Sequence, residues 1–234
     1  DYETKNSYSA TVVLSDGTAT ASKSFTLNIT NVNDVAPIIT SSASLSAAEN
    51  QTSAGTIEAT DADGSSIIYS ISGTDASLLS INSSTGVLTF NSAPNYESKT
   101  SYSITGAAYD GVQTTSQNIT ISITNINEAP SFSSSATFSA AENQTSIGSV
   151  SVNDPEGSSI TYSLSGTDAS SLAISSSGVL SFGSAPNFES KNSYSATVSA
   201  SDGTNSTTQA ITISVTDVNE APAFTSSTSY SVNE

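Results

Sequence analysis

Short runs of alternating apolar and polar residues, broken by Gly, Pro, Asn and Asp, recur along the chain. Thr56-Ile57-Glu58-Ala59, Ile67-Ile68-Tyr69-Ser70-Ile71, Gly86-Val87-Leu88-Thr89-Phe90, Tyr102-Ser103-Ile104-Thr105 and Ile119-Thr120-Ile121-Ser122-Ile123 carry β-branched and aromatic residues in this alternation. That is the period of a half-buried strand. An edge segment near Leu45 and a short one near Leu78 bring the set to about seven, the number that folds as a two-sheet sandwich. No apolar stripe of helical period persists, and Ser, Thr, Asn and Gly favour turns and strands over helices. The many Ser and Thr residues then read as the solvent face of alternating strands.

The pattern repeats. Ala47-Ala48-Glu49-Asn50-Gln51-Thr52-Ser53 returns as Ala140-Ala141-Glu142-Asn143-Gln144-Thr145-Ser146, an offset of 93 residues. Ala93-Pro94-Asn95-Tyr96-Glu97-Ser98-Lys99 returns as Ala185-Pro186-Asn187-Phe188-Glu189-Ser190-Lys191 at an offset of 92, and Asp1-Tyr2-Glu3-Thr4-Lys5 matches the same place. A self-similar period of this length is a small domain. Pro37, Pro130 and Pro222 each close an Asn/Asp-rich stretch and precede a fresh strand pattern, so repeats are placed to begin there. Residues 1–36 read as the last part of one repeat, 37–129 and 130–221 as whole repeats, and 222–234 as the first strand of another. A part-repeat cannot bury its own core, so the sequence reads as an excerpt of a longer array.

Composition then narrows the chemistry. The 234 residues contain no Cys, Met, Trp or His, which removes thiol nucleophiles, disulfides, zinc and iron–sulfur ligation and the commonest general base. Four Lys and Arg stand against 21 Asp and Glu, a net charge of −17. Such a chain repels nucleic-acid backbones and anionic lipid surfaces. Apolar runs are far too short to span a bilayer, and the N-terminus carries no signal-type segment, so a soluble, mature stretch is expected. Paired carboxylates could serve glycoside hydrolysis, but their recurrence in every repeat suits a ligand set better, and no enzyme is expected.

Of the 21 acids, 18 fall in five recurring places. Glu49, Glu142 and Glu234 end the opening strand. Asp1, Glu3, Glu97 and Glu189 lie in the mid-repeat turn. Asp34, Glu128, Asp217 and Glu220 precede the prolines. Asp61 with Asp63, and Asp154 with Glu156, follow the second strand; Asp16, Asp110 and Asp202 each precede a late Gly. Carboxylates crowded without Lys or Arg repel one another unless a cation is present. Clustered hard oxygens, mixed with Asn and backbone carbonyls, suit Ca²⁺ rather than Mg²⁺, which keeps its water and demands strict octahedral geometry. The alternative is a solubilising acidic surface.

These motifs, in this order, resemble tandem cadherin repeats in the bacterial cadherin-like form. The acidic-Asn element stands at Glu49-Asn50 and Glu142-Asn143, and an Asp-Arg-Glu-like turn at Asn95-Tyr96-Glu97 and Asn187-Phe188-Glu189. The linker motif stands at Asn31-Val32-Asn33-Asp34-Val35-Ala36-Pro37, Asn125-Ile126-Asn127-Glu128-Ala129-Pro130 and Asp217-Val218-Asn219-Glu220-Ala221-Pro222. The resemblance implies an all-β linear array of seven-stranded Greek-key, Ig-like sandwiches with Ca²⁺ at each junction. Carried over residue by residue, the first junction draws on Glu3, Asn31, Asn33 and Asp34, with Asp1 as a further candidate, and on Asp61, Asp63 and Asp110. The second draws on Glu49, Glu97, Asn125, Asn127 and Glu128, answered by Asp154, Glu156 and Asp202. The third draws on Glu142, Glu189, Asp217, Asn219 and Glu220. Asp16 would face a junction upstream and Glu234 one downstream. Asn replaces an acid at 31, 95, 125 and 187, so the first two junctions are expected to bind ions fewer in number or more loosely, and the third best if charge count decides.

The implied role is a calcium-rigidified stalk or fibre on a bacterial surface, with neighbouring repeats, lateral or homophilic copies and a cell-surface or glycan ligand as partners. The alternative is a carbohydrate-binding module of a secreted, polysaccharide-interacting protein. The recurring rings Tyr69 and Tyr162, Phe90 and Phe182, and Tyr102 and Tyr194 suit core packing better than a sugar platform. Tyr8, Tyr102 and Tyr194 resemble the strand-corner tyrosine of Ig-like sandwiches. Lys5, Lys99 and Lys191 share one repeat position and read as surface lysines, with a Lys–Asn crosslink as the remoter possibility.

Overall fold

The computed structural model describes residues 1–222, 224, 231 and 232. The strand expected within 222–234, and Glu234, lie outside the described residues. Two units are distinct, Asp1–Ile126 and Asn127–Glu234.

The first unit opens with a hairpin of β1 (Ser7–Ser15) and β2 (Thr20–Asn28). It continues with β3 (Ile38–Ile39), β4 (Ser44–Ala48), β5 (Ser53–Thr56), β6 (Ala59–Thr60), β7 (Ile68–Ser72), β8 (Leu79–Ile81), β9 (Val87–Phe90), β10 (Ser101–Tyr109) and β11 (Thr114–Thr124). A four-stranded sheet has the order β4-β11-β10-β7, a three-stranded sheet the order β5-β9-β8, and β3 pairs with β6. The β4–β11 pair is parallel and the other pairs of this unit are antiparallel. The second unit repeats the plan with β12 (Ser131–Phe132), β13 (Thr137–Ala141), β14 (Ser146–Ser149), β15 (Val152–Asn153), β16 (Thr161–Ser165), β17 (Leu172–Ile174), β18 (Val179–Phe182), β19 (Ser193–Ser201) and β20 (Ser206–Thr216). Its sheets have the orders β13-β20-β19-β16, β14-β18-β17 and β12-β15.

Alternation carries most of this. Along β10 and β11, Tyr102, Ile104, Ala108, Ile119, Ile121 and Ile123 are buried while Ser101, Ser103, Thr120 and Ser122 are exposed. All of the buried set but Ala108 meet Ile57, Leu79, Leu88 and Phe90 of the facing strands and loops in one core. The second core gathers the matching residues, Val150, Leu172, Leu180, Phe182, Val198, Ile211 and Ile213. The recurrent rings belong to these cores: Phe90 packs on Tyr102 at 4.9 Å between centroids, and Phe182 on Tyr194 at 5.0 Å. Tyr69 accepts the Ala59 N–H on its hydroxyl at 3.1 Å.

The expected strand over 56–59 is interrupted. β5 ends at Thr56 and pairs with β9, whereas β6 begins at Ala59 and pairs with β3. Between them the Ile57 N–H donates to Gly86 O, and Glu58 O accepts from Thr40 and Ser41. The segment near Leu78 is a 3₁₀ turn, Ala76–Leu78, leading into β8.

The two cores are filled differently. A Cβ on Gly106 of β10 would lie 2.5 Å from Ile57 Cδ1 and 2.9 Å from Ile119 Cδ1. At the matching positions the second unit has Val198 beside Val150 and Ile211. The bulk added by Val198 is offset by Ala196 in place of Ile104 and Val150 in place of Ile57, as close packing requires.

Candidate metal centre

The carboxylates are positioned by the ends of the four-stranded sheets. At the end of β4 the Glu49 N–H donates to Thr124 O, and Asn50 turns the chain at φ 61°. Asn is one of the few residues besides Gly that tolerates this left-handed conformation. The Glu49 side chain, 1% exposed, folds back to accept the N–H groups of Tyr96 and Ile126, both at 2.8 Å. It thereby ties the end of β4 to the turn at 95–99 and to the segment leaving β11. Glu142 repeats the arrangement in the second unit, accepting from Phe188 and Val218 at 2.8 Å beside Asn143 at φ 63°. The N–H groups of Val218 and then Phe188 hold the Glu142 carboxyl below its ordinary range against the opposing effect of burial.

In the turn itself, Asn95 Oδ1 accepts the Ser98 N–H and Asn187 Oδ1 the Ser190 N–H, each at 2.8 Å. Asn at these positions closes the turn through its own side chain. Asp1 does the same work at the start of the chain, accepting from Glu3 N–H and Thr4 Oγ1. One carboxylate oxygen each of Glu49 and Glu97 approach within 4.8 Å.

The first unit brings most of the first predicted ligand set together. Single oxygens of Glu3, Asp34 and Asp63 lie within 4.8 Å of one another. Asp63 Oδ2 accepts the N–H groups of Asp34 at 3.0 Å and Val35 at 2.9 Å. The Asn31 amide donates to Asp63 O at 2.8 Å, and the Asn33 amide to Asp110 O at 3.1 Å. Asp61 Oδ1 accepts from Ser65 N–H, and Asp110 Oδ1 from Val112 and Gln113 N–H at 2.7 and 2.6 Å. That leaves Asn33 Oδ1, Asp61 Oδ2, Asp63 Oδ1 and Asp110 Oδ2 buried with no hydrogen-bond donor. Buried oxygens of this kind are costly unless something positive meets them. The Gln113 N–H, ahead of Val112 N–H and the nearby Asn33 amide, holds Asp110 below the ordinary carboxyl range even though burial acts against it.

In the second unit Asp154 Oδ1 accepts from Ser158 N–H, and Glu156 Oε2 from Glu128 N–H at 3.2 Å. Asp154 Oδ2 and Glu156 Oε1 are buried without a donor. Asp202 Oδ1 accepts from Thr204 and Asn205 N–H, and its Oδ2 accepts the Asn127 amide at 2.8 Å. That amide, ahead of Asn205 N–H, holds Asp202 low. Single oxygens of Glu142, Glu189 and Asp217 lie within 4.8 Å of one another, while Glu220 accepts the Asn143 amide at 2.6 Å. Asn125 and Asn219 are exposed in the segments that follow β11 and β20.

Sequence reasoning missed Asn205, whose amide donates to Asn127 O at 2.9 Å. The only signal was that Asn205 stands where the first whole repeat has Gln113. It also set Asp75 and Asp168 aside. Both are buried and ion-paired, Asp75 with Lys99 at 2.6 Å and Asp168 with Lys191, and each accepts a backbone N–H from Ser103 or Ser195. Lys99 and Lys191 also stand over Tyr102 and Tyr194, so these lysines are anchored rather than free. Among the described residues these are the two ion pairs, and no lysine meets the acid clusters.

Lys99 first, then Ser103 N–H, lowers the Asp75 carboxyl; Lys191 and Ser195 N–H do so for Asp168. A carboxyl lowered in the folded state adds stability above its unfolded value of about 3.9, and that contribution is lost as pH falls through the lower folded value. Acidification below about pH 4 is therefore expected to lower the melting midpoint. In Asp75→Asn the midpoint should start lower at neutral pH and fall less steeply on the acid side, which a series of thermal melts between neutral and acid pH would show.

Residues 42–124 match the family profile for the cadherin domain. Mouse cadherin-23 repeats EC22–24 superpose with a TM-score of 0.53 at 27% identity, covering 93% of this chain and 77% of that one. Protocadherin gamma B2 domains 1–5 superpose at 0.53 and 27% identity, covering 94% of this chain and 48% of that one. Human protocadherin-24 EC1–2 superposes at 0.57 over 79% of this chain and 100% of its own, with 20% identity, a likeness of fold. No curated protein sequence matches the chain.

Proposed function

Since the chain is built of tandem cadherin repeats, we propose that its acidic linkers hold Ca²⁺ and that the array serves as a calcium-rigidified extracellular stalk or fibre of a bacterial surface adhesin. In this reading the whole repeats run 37–129 and 130–221, preceded by the end of another at 1–36.

One observation carries the calcium assignment. Four oxygens, on Asn33, Asp61, Asp63 and Asp110, are buried without a donor, and among the described residues no lysine is ion-paired with them. Three are carboxylate oxygens and one is an amide carbonyl, the hard donor set that Ca²⁺ takes. The ion would supply charge neutralisation there; Asp61, Asp63, Asp110 and Asn33 would hold it, with Glu3 and Asp34 adding charge beside Asp63. A weak site filled at the millimolar calcium outside cells would suffice.

The role follows from mechanics. A linker that must satisfy like charges with an ion has fewer conformations when the ion is bound. Small-angle scattering of the chain in calcium should give a larger, narrower distribution of dimensions than in chelator. Identical curves in the two conditions would exclude the stalk.

A further inference from the structure

Asp110 and Asp202 occupy the same place in successive repeats, each opening the turn of a hairpin, yet their second oxygens differ. Asp110 is 6% exposed, its Oδ2 meets no donor, and Asn33 Oδ1 is also buried without one. The Asn33 amide has turned to Asp110 O instead. In the second unit the Asn127 amide donates to Asp202 Oδ2, so the corresponding carboxylate oxygen is already partnered.

The origin lies two residues beyond each Asp-Gly pair. Asn205 donates its amide to Asn127 O at 2.9 Å. That bond fixes the Asn127 backbone where its own amide reaches both Asp202 Oδ2 at 2.8 Å and Glu128 O at 3.3 Å. The first repeat has Gln113 at this position, and there the linker amide lies near the carboxylate but donates to Asp110 O.

Resting on the calcium reading above, we infer that the Asn127 amide is a built-in competitor for the cation at Asp202. The chain thus carries a stronger site at Asn33, Asp61, Asp63 and Asp110 and a weaker one served by Asp154, Glu156 and Asp202. A cation approaching Asp202 Oδ2 must displace a charge-assisted hydrogen bond. At Asp110 Oδ2 the nearby Asn33 amide donates to Asp110 O instead, so no hydrogen bond to that buried oxygen has to be displaced. Partners outside the ligand shell commonly change metal affinity by about 10- to 100-fold, so a gap of about ten-fold is expected between the two sites.

The test is a Ca²⁺ titration of the whole chain, following the backbone amide resonances of Gly111 and Gly203 with total heat measured in parallel. Gly111 is expected to saturate at about one-tenth the calcium that Gly203 needs. Asn205→Gln, the residue that the first repeat carries, should move the Gly203 transition towards that of Gly111. Gln113→Asn should move the Gly111 transition the other way. Coincident transitions in the unaltered chain, or a Gly203 transition unmoved by Asn205→Gln, would overturn the inference and leave the calcium assignment standing. No heat and no shift at either glycine up to about 10 mM calcium, beyond the range of weak extracellular sites, would overturn both.

Discussion

Asp63→Ala is expected to abolish most of the calcium-dependent rise in the melting midpoint of the first unit. Its two oxygens do different work. Oδ2 holds the linker by accepting the N–H groups of Asp34 and Val35, while Oδ1 is buried with no donor and lies available to an ion. It also belongs to the carboxylate group with Glu3 and Asp34. At calcium one hundred times the dissociation constant, one site contributes about 2.7 kcal/mol, a substantial part of a small domain's stability. Differential scanning calorimetry in calcium and in chelator separates the effects. The unaltered chain should melt several degrees higher in calcium. Asp63→Ala should melt lower in chelator because two N–H groups lose their acceptor, and should gain little when calcium is restored. A variant that regained the full calcium shift would remove Asp63 from the site.

Gly86→Ala is expected to cost the first unit about 4 kcal/mol or more, enough to unfold many small domains. Gly86 has φ +70°, and an added Cβ would press into the carbonyl oxygen of Ile57. That backbone cannot step aside, because the Ile57 N–H is bonded to Gly86 O and the Ile57 side chain is fully buried. Gly64, at φ +72° with nothing near its missing Cβ, supplies the comparison. Gly64→Ala should cost only the backbone term of about 1–2 kcal/mol. Urea unfolding of both variants in chelator measures the difference, and equal midpoints would show that the contact with Ile57 relaxes without cost. Gly178 repeats the situation with Val150 O at 2.6 Å.

Strand positions were legible wherever one strand keeps one partner. Through Tyr102, Ile104, Ile119, Ile121 and Ile123 the two-residue period maps directly onto burial. It failed at Ile57-Glu58, where the alternation continues but the backbone passes from pairing with β9 to pairing with β3. Side-chain pattern is blind to a change of hydrogen-bonding partner. The acid groupings were legible because repetition marked them: Glu3, Asp34 and Asp63 meet, as do Glu142, Glu189 and Asp217. Charge counting could not show which oxygens were already used. Glu142 spends both of its oxygens on backbone N–H groups, whereas Asp61 and Asp110 each keep one buried oxygen open. Nor could it show that the nitrogen of Asn127, rather than its oxygen, faces Asp202. Charge grouping sets Asp75 and Asp168 aside because they lie outside the acidic clusters, and it does not reach their partners Lys99 and Lys191, over twenty residues away in sequence.

Tandem domains this alike risk assembling with each other's strands during synthesis, a known failure of repeat proteins. The unequal filling around Gly106 and Val198 works against it. If the strand carrying Val198 entered the first core, its side chain would need the space held by Ile57 and Ile119. If the strand carrying Gly106 entered the second core, it would press Ile104 into the place of Ala196 and leave the place of Val198 unfilled. Either exchange carries a packing penalty that the correct pairing avoids. Neighbours that share their turn and linker motifs are thereby kept distinct by the volumes of a few buried side chains, and each newly made repeat closes preferentially upon itself.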